Sequence, residues 1–231
     1  MKNFLILMFC LTQGSLIAQN LISPCAHESI VKRHLETNPH FETELSQTED
    51  QLQRIIKDLK TGQLQRKTNS FVIPVVMHVF HLGEDGKMGL EQALSGLEIL
   101  NQDFKGLNDG WNTIDPAFDG IKGTLNITFC LAQIDPLGNP TTGILYHQDE
   151  RGIKNEGDIF RHAWDNFKYL NIYFPKHIRG EPSDFSGYAY YPSSAHSNSN
   201  SGGVVFGSVR WGFGEHSIMK GTTGPLYVHM N

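Results

Sequence analysis

Residues 71–81, FVIPVVMHVFH, constrain the fold more than any other stretch. Eleven residues rich in Val, Ile and Phe, with almost no polar alternation, read as a strand buried on both faces. Such a strand needs a sheet around it and cover on each side. Pro74 lacks a backbone donor, which hints at an edge or a bulge early in the run.

The flanking sequence supplies partners. Leu90–Phe104 follows a helical period, with Leu90, Ala93, Leu94, Leu97 and Phe104 expected on one face. Leu125–Ala132 alternates as a half-buried strand, with Leu125, Ile127, Phe129 and Leu131 facing one way. Asp135-Pro136-Leu137-Gly138 suits a tight turn. Tyr169–Phe174, Gly187–Tyr191 and Gly203–Val209 read as further strands, and Pro192–Gly202 as a Ser/Asn-rich loop. The expected class is α+β: a twisted, mostly single sheet with one or two helices on a face.

Ahead of this block, residues 41–67 hold ten charged residues in 27. Leu45, Leu52, Ile55, Ile56 and Leu59 fall at helical spacing within them. Asn38-Pro39 is a good helix start, Ser46–Glu49 a possible later capping box, and Gly62 a good stop. A lone helix of this length is marginal in water, so the stripe is expected to dock on the following domain.

Met1–Ala18 has Lys2, then an eight-residue apolar run from Phe4 to Leu11, then a small residue at Ala18. That pattern fits a signal peptide cleaved after Ala18, and hence a secreted or periplasmic product. The apolar run is too short to cross a bilayer, and no later stretch reaches spanning length. The expected division is therefore 1–18 signal peptide, 19–70 pro-segment with an amphipathic helix, and 71–231 main domain. A formal charge of −5 gives no basic stripe for nucleic acid. Export permits a disulfide between Cys25 and Cys130, although Cys130 in its strand reads more simply as a small buried side chain.

Chemistry is sparse along the chain. His78 and His81 are three apart on one strand and point to opposite faces, so they do not readily share a metal, and each reads as a core or a surface histidine. His196, His216, Glu181, Asp184 and Glu215 stand apart from one another in loops. There is no G-x-S-x-G, no P-loop and no G-x-G-x-x-G after a strand. Trp211–Gly214, WGFG, has neither the Lys nor the helix that a phosphate cradle needs.

Six stretches in order carry a resemblance: FVIPVVMHVFH (71–81), ILNQDFKGLN (99–108), ITFCLAQIDPLGNPTTGI (127–144), WDNFKYLNIYF (164–174), GYAYYP (187–192) and GGVVFGSVRWGFG (202–214). Together they resemble the pappalysin family of metzincin zinc metallopeptidases, in its bacterial cytophagalysin-like branch, over about 71–223. The resemblance implies a metzincin-like upper subdomain, preceded by a helical pro-segment, in a secreted zinc enzyme that hydrolyses protein or peptide substrates. It implies that Gly187, Tyr188, Ala189, Tyr190 and Tyr191 form the sheet-edge strand on which substrate backbone lies. It also implies that Cys25 corresponds to a pro-segment thiol that blocks zinc.

In that family a G-x-T stretch, matched by Gly221-Thr222-Thr223, precedes H-E-x-x-H-x-x-G-x-x-H, which holds zinc and the general base. Here the sequence continues Gly224-Pro-Leu-Tyr-Val-His-Met-Asn231. His229 is a remnant-ligand candidate, with an exposed tail residue as the simpler reading. No catalytic residue is assigned. The expectation is a truncated fragment, through a gene end, frameshift or decay, inactive as written and without bound zinc. A rival reading is a non-catalytic secreted module that holds peptides on an exposed sheet edge, helped by Tyr188, Tyr190, Tyr191 and Trp211. DNA beyond the Asn231 codon, translated in three frames, would separate these readings.

Overall fold

The computed structural model describes residues 31–33, 35–36, 40–63, 70–149, 156–176, 178, 186–190 and 202–214. Its elements are α1 (Phe41–Lys60), β1 (Phe71–His81), α2 (Leu90–Lys105), β2 (Ile127–Leu131), β3 (Ile144–Gln148), β4 (Leu170–Phe174), β5 (Gly187–Ala189) and β6 (Val204–Phe206). Short 3₁₀ turns fill several connections. The strands form one sheet in the order β2-β1-β4-β6-β5, with β3 also paired to β1. All pairings are parallel except that of β5 with β6. A mostly single sheet with few helices is the expected α+β layout.

β1 has the limits its sequence suggests, and Val75 to Phe80 are buried without a break. The two faces explain this. Val75, Met77 and Val79 join Ala93, Leu97 and Leu100 of α2 in one core. Phe80 joins Tyr173, Ile159, Ile178, Tyr188 and Val205 in a second core on the opposite face. Burying each large apolar side chain is worth roughly 1.5–3 kcal/mol, so both faces contribute.

Pro74 causes no bulge. The Phe71 N–H donates to Asn126 and the Val75 carbonyl accepts from Ala132, so these odd positions turn toward β2. Pro74 turns the other way, and pairing with β4 starts only at Val75. Its missing donor therefore costs no ladder bond.

β3 was not expected from the sequence. β2 pairs with the first half of β1 and β3 with the second half, along the same edge. Between them the chain leaves after Ala132 and returns at Gly143, where Met77 N–H donates to the Gly143 carbonyl at 2.8 Å. The excursion holds the expected turn, with Gly138 N–H donating to Asp135 at 3.0 Å. Gly143 has φ +72°, and a Cβ there would lie 2.8 Å from Ala132 N. Only glycine closes the excursion without strain.

α2 spans nearly the expected residues and turns Ala93, Leu97 and Phe104 to the core as expected, but not Leu90 and Leu94. Gln92, Ala93, Gly96, Leu97, Ile99 and Leu100 are buried, whereas Leu90 is 57% and Leu94 45% exposed. Asn101, on the same helix, donates to and accepts from Phe129 of β2, at 2.8 Å each. Its amide thus stands in for a neighbouring strand at this edge of the sheet.

α1 ends near Gly62 as expected, but its cap is His40 and no side chain caps it. Asn38 and Pro39 lie outside the described residues, and Ser46–Glu49 sits inside the helix rather than at its start. The expected docking is partial among the described residues: Phe41 at the helix start is buried and Leu45 and Leu59 are half-buried. Leu52, Ile55 and Ile56 are 49%, 46% and 40% exposed. This middle stretch is braced by the helix's own side chains, such as Gln53 on Glu49 at 2.7 Å.

Candidate functional site

β5 ends the sheet order, antiparallel to β6. Its approach to β6 depends on glycine: a Cβ at Gly187 would lie 2.5 Å from the Val205 carbonyl oxygen. Tyr190 N–H donates to Gly203 at 3.2 Å and Gly207 N–H to Ser186 at 3.1 Å. Ser186 and Tyr190 therefore turn toward β6, and by alternation Gly187 and Ala189 turn away from it. Tyr188 is buried in the core opposite α2, and Tyr190 meets both Tyr188 and Phe160 edge-on. Trp211 belongs to the core on the α2 face. Tyr188 and Trp211 thus lie on opposite sides of the sheet and do not form one aromatic platform. Tyr191, Cys25 and His229 lie outside the described residues, as do His196, His216, Glu181, Asp184 and Glu215.

After β6 the chain straps across α2. The Gln92 amide nitrogen donates to the Ser208 and Trp211 carbonyls, both at 2.8 Å. Trp211 Nε1 donates to the Ala93 carbonyl at 3.1 Å, and Ser95 Oγ accepts from Phe213 N–H at 2.7 Å. Gly96 lets the indole settle on the helix. Gly212, at φ +58°, lies so close to α2 that a Cβ there would meet Gly96 N at 2.8 Å and Gln92 and Ser95 more closely still. WGFG is therefore a helix-bound strap and not a phosphate loop.

The strongest electrostatic feature lies on the other face. His78 Nε2 is 3.0 Å from Asn171 Oδ1, and His78 Nδ1 is 3.1 Å from His147 Nε2. The His78 ring stacks on Tyr173, and the His147 ring packs 4.0 Å, centroid to centroid, from His162. Asp149 pairs with Arg161 and lies 3.7 Å from His162. Burial pushes His78 down to about 4, opposed by its bond to Asn171 and helped by nearby His162. Burial also pushes His147 down to about 3, helped by the neighbouring histidines and Arg161. Tyr173 is pushed up by burial. Of the two readings open to it, core or surface, His78 takes the first, with no exposed surface, and His81 is not its partner. The partner that matters is His147, 69 residues away on the unexpected β3.

These histidines do not make a zinc site. His78 and His147 turn ring nitrogens toward each other, and the second His78 nitrogen meets an amide oxygen. Among the described residues no group of three or more His, Cys, Asp or Glu side chains is arranged to hold a metal ion. No helix among them is long and apolar enough to cross a membrane. A groove of about 780 Å³ lies at the far edge of the sheet, between α2 and β2, lined by Leu94, Glu98, Asn101, Cys130 and Thr141 among others. Cys130 is half-buried there as a free thiol.

Residues 153–212 match the profile of peptidase family M43, described as pregnancy-associated plasma protein-A. That span contains β4, β5, β6 and most of the strap. No curated protein matches the chain. A mutant of promirolysin from Tannerella forsythia is similar over 81% of this chain and 60% of its own, with 26% identity and a TM-score of 0.66. Mature mirolysin in complex with a cleaved peptide is 29% identical over 65% of this chain and 57% of its own, with a TM-score of 0.58. Mirolysin in complex with compound 9 gives 29% identity and a TM-score of 0.56 over the same shares. The chain thus spans about 60% of the length of these structures.

Proposed function

From a chain that is a relative of the pappalysin-type M43 peptidases, we propose that these 231 residues form the substrate-holding half of a secreted metallopeptidase scaffold. The observation that carries this is the match over 153–212. It falls on the sheet end where β5 runs antiparallel to β6 and on the strap bound to α2. Substrate backbone aligns with Gly187–Tyr191 as an added strand, and main-chain hydrogen bonds supply most of its affinity. Mirolysin has been seen with a cleaved peptide, which supports a peptide as ligand. Residues 19–70 act as a pro-segment behind a signal peptide at 1–18.

Zinc supplies Lewis-acid activation of water in this family. The residues described here do not fit such a site, and the sequence contains no H-E-x-x-H. No hydrolytic step is therefore assigned to this chain, and it is proposed to lack peptidase activity by itself. The contribution of its own residues is to shape and hold: β5 and β6 present the backbone ladder, while Gln92, Ser95 and Gly96 fix the strap that follows.

A chimera tests this reading. Residues 71–214 are joined to the part of mirolysin that follows its equivalent strap. Chelator-sensitive peptide hydrolysis by the chimera, and none by the 231-residue chain, is the expected result. A folded, zinc-loaded chimera that leaves peptides intact would refute the scaffold reading.

A further inference from the structure

The histidines on the face opposite α2 are placed as a latch. We propose that His78, His147 and His162 form an acid-sensitive fastening that holds residues 156–164 on the sheet, and that acidification lifts this strip while the α2 face stays folded. The inference stands apart from the peptidase reading, since it concerns only how one face is covered.

The hydrogen bonds define the resting state. Asn171 Oδ1 accepts from the Trp164 N–H at 2.9 Å, and Asn171 Nδ2 donates to the Trp164 carbonyl at 2.9 Å. With its oxygen so oriented, Asn171 requires His78 Nε2 to be a donor. His78 Nδ1 is then an acceptor, and His147 Nε2–H donates to it. One chain of neutral groups therefore runs from β3 through β1 to β4 and on to Trp164. A proton placed on His78 Nδ1 reverses the bond to His147, which must change tautomer to accept it, and leaves a charge on a ring with no exposed surface.

The groups around the pair make added charge costly. From β1 come His78 and, toward the strand end, His81. From β3 comes His147, with Asp149 just after it. From β4 come Tyr173 and the uncharged Asn171, and from the strip come Arg161 and His162. Tyr188 of β5 shares the same core. Asp149 is already engaged with Arg161. The strip itself is the cover: Ile159 is fully buried and Phe160 meets Tyr173 edge-on at 5.0 Å. His78 beneath it has no exposed surface, whereas His147 and His162 are half-buried at its margin. Phe160 also contacts Tyr190 beside β5, at 5.6 Å, so release propagates to that strand.

The direction follows from linkage. Burial holds the folded His78 and His147 below the ordinary value, so between about pH 4 and 6.5 the open state binds more protons, and the closed state loses stability as pH falls. His78 alone, moving from 6.5 to about 4, makes opening about 20-fold more frequent at pH 5 than at pH 7.

The test is hydrogen exchange of the full chain across this range, corrected for intrinsic rates. Opening of 156–164 and 186–190 should rise about 20-fold between pH 7 and pH 5, while 93–104 of α2 open far more rarely than the strip at both pH values. Flat exchange in the strip, or α2 opening as often as the strip, would overturn the latch. Imidazole ¹⁵N NMR of the same protein should show His78 and His147 titrating together with the opening. Titration near 6.5 with the strip still closed would overturn it equally. His78→Phe keeps a ring against Tyr173 and removes the buried imidazole that sets the 20-fold change, so its strip should lose most of the pH response. The wild-type measurements decide the matter if that variant does not fold.

Discussion

Replacing Gly96 by alanine sets two effects of known size against each other. In the middle of an exposed helix, glycine to alanine stabilises by about 1 kcal/mol. Here the added Cβ would lie within 2.6 Å of three atoms of the Trp211 indole, where an ordinary contact needs about 3.5–4 Å. The ring must move by more than about 1 Å, and it has little freedom to do so. It is fully buried, packed edge-on against Phe174 and tilted against Phe206, and its N–H is bonded to Ala93. Overpacking of this kind costs about 1–3 kcal/mol. Loss of the buried indole hydrogen bond costs about 1–3 kcal/mol more. Against the helix gain of about 1 kcal/mol, the expected net loss is about 1–5 kcal/mol. Urea unfolding followed by tryptophan emission and far-ultraviolet dichroism measures it, with Leu94→Ala on the exposed side of α2 as a near-neutral control. A Gly96→Ala chain as stable as the wild type would refute the close packing of strap on helix.

Other consequences are as direct. Asn101→Ala removes both bonds to Phe129 and should cost about 1–3 kcal/mol while raising concentration-dependent aggregation through the uncovered β2 edge, seen by light scattering. Changing Leu52, Ile55 and Ile56 together to Gln should leave the unfolding midpoint of the sheet domain unchanged, because their stripe is exposed; a lowered midpoint would mean that α1 is docked after all. Global stability should fall between pH 6.5 and pH 4, with His78 contributing roughly 3 kcal/mol, and a urea midpoint that is flat over that range would contradict its burial in the neutral form.

What the sequence disclosed depended on how local the information was. β1, the span of α2, β2 and the Asp135 turn rest on short-range patterns of apolar and turn residues, and they are found where those patterns put them. The inward face of α2 is only partly legible: Ala93 and Leu97 lie on it as the stripe suggests, but its key contacts to the strap are Gln92 and Gly96, a polar residue and a residue without a side chain. Neither registers in a hydrophobic stripe. β3 was missed because five residues give too little alternation to outweigh their surroundings, and its pairing is with β1, more than sixty residues back. The His78–His147 bond depends on that pairing and was hidden with it. The β5 and β6 positions were legible, but only three residues of each are strand, so their role came from resemblance more than from periodicity.

The central claim concerns where a peptide lies on this sheet. Titrating the ¹⁵N-labelled 231-residue chain with an extended decapeptide and following backbone amide shifts tests it most directly. Shifts concentrated at 186–190 and 202–206, beside β5 and β6, are the predicted result. Shifts concentrated instead in the groove of Leu94, Asn101 and Cys130, with β5 silent, would contradict the account.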